Sequence, residues 1–246
     1  MSFESNDDAI NSDDADDDVK RIEALIADPD LATRADGLAE MATHLRTEPG
    51  RTPRDPLPYI EAAIELNEQL DRQVELVGNY WTLSDLQFEL RQFEESKESL
   101  HKSIALAQAN LVESSLPMTM SNLANVYRNL DDHVNAIYWY EQAWQIADQQ
   151  LLKGMAAAAL MRLVSIHFAV RNYHEGVEKA ELAFMIFQQL GNNVGLVDAI
   201  NQQAWGRSFD GVDEFDEVAE LLEKSKSLNQ LINHNYGEEI ALVLEA

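Results

Sequence analysis

Small residues recur at a fixed interval along this chain. Ser96, Ala136 and Gly176 lie 40 residues apart, each near the start of an amphipathic segment. The same offset pairs Leu83 with Leu123 and Leu163, Leu100 with Tyr140 and Ala180, and Ser103 with Ala143 and Ala183. A fourth copy, AWGRSFDGVDEFDEVAELLEKSKSL, is offset by two more residues, so that Val218 follows Gly176 by 42 and Trp205–Gly206 stands where Leu123–Ala124 stood. A period of this length marks a supersecondary unit that buries its apolar face only by stacking on copies of itself.

The middle copy, residues 121–147, shows what the unit is. Leu123, Ala124 and Tyr127 share one helical face, and Ala136, Tyr140, Ala143 and Trp144 share another after the polar turn at residues 129–132. Small residues at 124, 136 and 143 let two helices approach closely while the aromatics fill the space around them. The chain has few breakers: six prolines, four of them between Pro49 and Pro58, and ten glycines. An all-α chain follows.

Residues 1–18 hold eight acids and no Lys or Arg, and read as a disordered, solvating acidic tail. Residues 19–76 form an N-terminal section: a short amphipathic segment at 19–27, a helix over about 31–46 started by the Asp28–Pro29–Asp30 break, the proline-rich loop, and a helix over about 57–70. Ala62 and Leu66 there fit a degenerate second helix. Four repeats occupy residues 77–232, and residues 233–246 are expected to form a short C-terminal capping helix.

The residues Leu123–Ala124, Tyr127, Ala136, Tyr140 and Ala143, repeated at Trp205–Gly206, Phe209, Val218, Leu222 and Ser225, resemble the tetratricopeptide repeat (TPR). Departures are Ser84 and Val164 at the small position, Gln87 and His167 at the Tyr position, and the missing closing Pro. The 40–42-residue spacing is similar to the long-helix variant found in kinesin light chains and in bacterial regulators that sense peptides or proteins. The resemblance implies a right-handed α-solenoid, a TPR-like superhelix of about five helix pairs, whose first helices line a concave groove.

Projected from that register, the groove residues are Trp81, Met118, Asn122, Asn125, Arg128, Met161, Arg162, Ser165, Gln203 and Arg207. The resemblance implies that Asn122 and Asn125 hydrogen-bond the backbone of an extended peptide, for which a carboxamide offers both donor and acceptor. The arginines would suit a carboxylate or phosphate. The five-residue clamp by which TPR co-chaperones grip acidic chaperone tails is not present. Only Asn122 and Arg162 match it, while Trp81, Asp85 and Ala158 take the other places.

The net charge of −26 disfavours a phosphate backbone, so no nucleic-acid partner is expected. The acid excess fits either a basic partner or solubility in salt. The cysteine count is zero, the six histidines are scattered without an HExxH pair, and no phosphate loop or GxSxG occurs, so neither a metal, a cofactor nor a catalytic site is expected. No apolar run reaches the ~18 residues of a membrane span, and no signal peptide opens the chain, so cytoplasmic residence is expected. The expected function is a non-catalytic TPR adaptor or regulatory module that holds a protein or peptide segment in its groove. The alternatives are a self-associating structural solenoid, hence a homo-oligomer, and the ligand- or peptide-sensing domain of a signalling regulator.

Overall fold

The structure, a computed structural model, describes the backbone of residues 7–209 and 215–244 and the side chains of residues 17–209 and 216–232. Among these residues there are eleven α-helices and no strand: α1 (Asp7–Ile26), α2 (Leu31–Thr47), α3 (Leu57–Gln69), α4 (Gln73–Glu89), α5 (Phe93–Ala109), α6 (Leu116–Asn129), α7 (His133–Gln149), α8 (Lys153–Ala169), α9 (Tyr173–Leu190), α10 (Asn193–Phe209) and α11 (Phe215–Leu244). The fold is all-α and TPR-like. Two compact units divide it, Met1–Glu113 and Ser114–Ala246, and the division falls inside the 77–232 array.

The 40-residue period resolves into two 20-residue halves. Residues 71, 91, 111, 131, 151, 171 and 191 all have positive φ, between 54° and 64°. Each closes the helix before it in the same way. In the α6–α7 turn, Asp131 N–H donates to Arg128 O (3.2 Å) and Asp132 N–H to Tyr127 O (2.9 Å), the paired bonds of a Schellman cap. The sequence conceals this motif, because only Gly191 of the seven is a glycine.

In the first unit, α2–α5 enclose Ala42, Ile60, Ile64, Leu76, Tyr80, Leu83 and Leu86, and α1 adds Ile22 against Met41 and Leu45. Arg72, at the start of α4, ties three helices together. Its guanidinium donates to Ala32 O (3.1 Å), Asp36 (2.8 Å) and the buried Asn67 Oδ1 (3.0 Å). In the second unit the core is Ala124, Ala136, Tyr140, Leu160, Leu163, Ile166 and Ala183, joined by Val164, Phe168, Val177 and Ala180. Here α6 touches α8 and α8 touches α10, whereas the second helices make no comparable contact with one another. The first helices therefore crowd together on the inner side of a curved layer.

Three expectations change. Helix α1 begins at Asp7, so residues 7–18 are helical rather than disordered, and residues 1–6 lie outside the described residues. Acids at a helix N-terminus complement the dipole, and the helix propagates back from the packed Ile22. No separate capping helix follows residue 232. Helix α11 continues unbroken to Leu244, passing through Asn235 and Gly237 without a break. Finally, α10 keeps the 40-residue register of α8, and the two extra residues fall between α10 and α11. Gln203–Ala204, both buried, thus take the places of Leu163–Val164.

Candidate functional site

The shift in register redraws the inner face of the second unit. Adding 40 to each position gives two rows across α6, α8 and α10: Asn122, Arg162, Gln202, and Asn125, Ser165, Trp205. The sequence projection misses Asn201, Gln202 and Trp205, because the Trp205–Gly206 pair imitates the Leu–small pair of the repeat. The signal that finds them is Gly191, which lies 20 residues after Arg171 and fixes where α10 begins.

Between α8 and α10 this face opens into a pocket of about 410 Å³ lined by Ser165, Phe168, Asn201, Gln202 and Trp205. Its apolar floor is part of an aromatic cluster. The Trp205 ring lies 4.7 Å from Phe168 and 4.8 Å from Phe209, and Tyr173 stacks on Phe209 at 5.4 Å, centroid to centroid. Trp205 is nevertheless 45% exposed and Phe209 54%. The rim is polar. Ser165 Oγ donates back to Met161 O (3.1 Å), and Asn201 Oδ1 accepts from Ser225 Oγ (2.7 Å). The carboxamides of Asn122 and Gln202 take no hydrogen bond within the described residues, leaving a donor and an acceptor on each.

Beside this pocket, Tyr140 Oη donates to Asn125 Oδ1 at 2.5 Å. Burial pushes the Tyr140 hydroxyl up, and the nearby Arg128 and Arg162 pull it down. Both arginines therefore act on one point, and neither makes an ion pair within the described residues. Met118 is exposed on α6, and Met161 is half-buried against the core.

Two of the projected residues do not serve the groove. Gln203 is buried at a core position, since α10 follows the 40-residue register. Arg207 occupies the place of Tyr127 and His167, which faces the second helices, and pairs with Glu181 (2.6 Å) and Glu217 (3.1 Å). Trp81 belongs to the first unit, where Arg46 covers its ring (5.7 Å to the centroid) and pairs with Asp85 (2.5 Å). That face supplies its own cation.

Charge is segregated in the second unit. Helices α6, α8 and α10 carry four basic residues, Arg128, Lys153, Arg162 and Arg207, against the single acid Asp198. Helices α7 and α9 carry the acids Glu141, Asp148, Glu175, Glu178 and Glu181 against Lys179 alone. Among the described residues no group of three or more His, Asp or Glu could hold a metal ion, and no helix is long and apolar enough to cross a membrane.

No protein-family model matches the chain, and no curated protein matches its sequence. Solved structures do. BtubC (BKLC) from P. vanneervenii is similar with a TM-score of 0.73 at 16% identity, over 89% of this chain and 90% of that one. Kinesin-light-chain TPR-like repeats from P. anserina match with a TM-score of 0.68 at 17% identity, over 84% of this chain and 100% of theirs. A signal-transduction ATPase with a TPR sensor from Pyrococcus horikoshii matches with a TM-score of 0.71 at 14% identity, over 89% of this chain and 33% of that one. These likenesses are of fold.

Proposed function

We propose that this chain is a non-catalytic docking module, and that the α6–α8–α10 face of its second unit holds an extended segment of a partner protein. The observation that carries this reading is the pocket of Ser165, Phe168, Asn201, Gln202 and Trp205. It offers an exposed indole as an anchor for one side chain, with unengaged carboxamides of Asn122 and Gln202 alongside to fix the backbone. In this reading Asn122, Arg128 and Arg162 line the groove. Asn125 contributes through its amide NH₂, since its oxygen is taken by Tyr140. The TPR-like fold of protein-interaction repeats such as the kinesin light chain agrees with this role.

The test is site-specific photocrosslinking in native lysate. A photoreactive residue at Gln202 should capture a partner, one at the exposed Gln145 of α7 should not, and Trp205→Ala should abolish the Gln202 product. Equal capture at both positions would refute the assignment. A second reading, self-association, draws on Leu222 and Leu231, each 52% exposed on α11. Light scattering of the purified chain tests it, because self-association raises the apparent mass with concentration.

A further inference from the structure

We propose that a pocket among α3, α4 and α5 of the first unit receives a small zwitterion with an apolar side chain, of the class of the free α-amino acids. The proposal goes beyond the docking reading and uses no residue of that face. The pocket measures about 350 Å³, near the lower end of the range for small-molecule sites. Its floor is apolar, made of Leu76 and Tyr80, one turn apart on α4, with Ala105 and Leu106 of α5. Glu68, near the end of α3, and Lys102 of α5 stand at its rim, and both are exposed.

The argument begins from a departure from the repeat. The 40-residue register puts Met120, Leu160 and Ile200 at the place of Tyr80, and all three are buried hydrocarbon or thioether side chains. Tyr80 is buried as well, at 5% exposure, but it carries a hydroxyl that an apolar residue would spare the core. That hydroxyl donates to Glu68 Oε1 at 2.5 Å. Burial and the bond to Glu68 push its pKa up to about 12, so it stays a donor at neutral pH. The other face of the same residue holds the opposite charge: Lys102 Nζ lies 4.8 Å from the centroid of the Tyr80 ring. At the place of Lys102 the later copies have Gln142 and Leu182, so the charged pair on an aromatic floor belongs to this copy alone.

Glu68 and Lys102 share one ring yet form no ion pair with each other among the described residues. Within those residues the second oxygen of Glu68 accepts nothing, and the ammonium of Lys102 has the ring as its contact. A ligand with both charges answers both groups. Its ammonium donates to Glu68, its carboxylate accepts from Lys102, and its side chain lies on Leu76, Tyr80 and Leu106. A cation–π contact at an exposed site is weak, so Lys102 gives up the ring for a carboxylate at little cost. A simple amine would meet the Lys102 charge, and a simple carboxylate would meet that of Glu68, so each is disfavoured by one like charge. The small volume suits a single residue rather than a peptide.

The test is saturation-transfer-difference NMR of the full-length chain, which detects weak binding of small molecules. The probes are L-leucine, isoamylamine, isocaproate and glycine; the last three lack the carboxylate, the ammonium and the side chain of leucine in turn. Leucine should give a saturable signal, and each of the others a signal lower by roughly fivefold or more at equal concentration. Glu68→Gln and Lys102→Gln should each lower the leucine signal by a similar factor. Thermal melts should show the Lys102→Gln variant folded, because its side chain is exposed and pairs with no carboxylate among the described residues. Isoamylamine or isocaproate binding as well as leucine would overturn the zwitterion assignment. A leucine signal undiminished in both variants would overturn the site. No signal from leucine, phenylalanine or methionine would overturn the proposal outright.

Discussion

Tyr140 and Asn125 are joined across the α6–α7 pair by a 2.5 Å hydrogen bond in which the phenol donates to the carboxamide oxygen. The phenol ring is fully buried in the core, whereas Asn125 stands half-buried on the inner face. One bond thus couples the packing of the repeat to the chemistry of the candidate site. It fixes which way the carboxamide is turned and leaves its NH₂ as the remaining donor. Burial keeps the phenol protonated at neutral pH, so the polarity of the pair does not reverse.

The two halves of this bond are not equivalent to remove. Tyr140→Phe deletes the donor and leaves a half-exposed carbonyl that water can reach, so it should cost about 1 kcal/mol. Asn125→Ala leaves a buried hydroxyl with no acceptor and should cost more, about 1–3 kcal/mol. Urea denaturation of both variants gives the order. A larger loss for Tyr140→Phe would show that the phenol has another acceptor in the folded state.

The same pair illustrates how much was legible in the sequence. The 40-residue offset places Tyr140 in the core and Asn125 on the groove side, because helical periodicity reports faces directly. Helices at 31–46 and 57–70 are likewise readable, since Asp30 caps one, with its carboxylate accepting from Thr33 N–H at 2.9 Å, and the proline-rich loop starts the other. Periodicity says nothing of which polar groups meet across helices. Asn125 therefore looked free, and Arg207 looked like a groove cation until Glu181 and Glu217 claimed it. The register of α10 was obscured by chemistry: Trp205–Gly206 has the size pattern of the repeat's core pair, and two residues inserted before α11 have the same effect on the count as two inserted before α10.

The seven Schellman turns predict a gain in stability. Leu151 holds φ at 59° with its side chain 79% exposed, and Leu111 is in the same state at 57° and 80%. An L-residue there costs ~1–2 kcal/mol, against which glycine loses ~0.5–1 kcal/mol of chain entropy. Leu151→Gly should therefore stabilise the fold by about 0.5–1 kcal/mol, and Leu111→Gly similarly. Gly191→Ala, at φ 64°, should do the reverse. Thermal melts of the three variants check the signs, and destabilisation by Leu151→Gly would contradict the turn assignment.

His167 gives the fold a sensitivity to mild acid. It is 6% exposed on α8, and both ring nitrogens are buried without a partner in the described residues. Burial holds its pKa below the ordinary value, with Lys179 lowering it further and Glu175 and Glu141 opposing. Below ~6.5 the unfolded chain binds a proton that the folded chain refuses, so stability is complete above that pH and falls as pH drops beneath it. His101, lowered by burial and then by Lys97, adds to the same slope. His167→Leu should flatten the decline below about pH 6.5 and raise the melting temperature at the acid end. An unchanged pH profile in the variant would show that His167 takes up its proton as readily folded as unfolded.

Arg72 is expected to be the most sensitive polar position in the first unit. Its guanidinium satisfies Asn67, which is buried on α3, and reaches Ala32 O and Asp36 on α2. The Asp36 pair is partly exposed and contributes little, but stranding the Asn67 oxygen costs about 1–3 kcal/mol. Arg72→Met, which keeps the length of the side chain, should lose that amount. Hydrogen exchange should show the loss in α2–α4 while α7–α9 stay protected. Uniform loss in both units would mean that they unfold as one.

Gly206 connects packing to the proposed site, so one methyl group there should affect both. A Cβ at Gly206 would lie 2.6 Å from Val177 Cγ2 and 2.7 Å from Phe168 Cζ, closer than carbon atoms pack. Relief requires the Phe168 ring to move, and that ring is the floor of the pocket and the neighbour of Trp205 at 4.7 Å. Gly206→Ala gains about 1 kcal/mol of helix propensity but overpacks the core by about 1–3 kcal/mol, so a net loss of stability is expected. The indole should also report the displaced ring. Trp205 is one of four tryptophans, so its emission is isolated by comparing Gly206→Ala with and without Trp205→Phe. A shift confined to the Trp205-containing background locates the strain at the pocket, and partner capture through Gln202 should weaken with it. If Gly206→Ala melts like the parent with unaltered emission, the α8–α10 contact is looser than these distances require, and the pocket is not held by it.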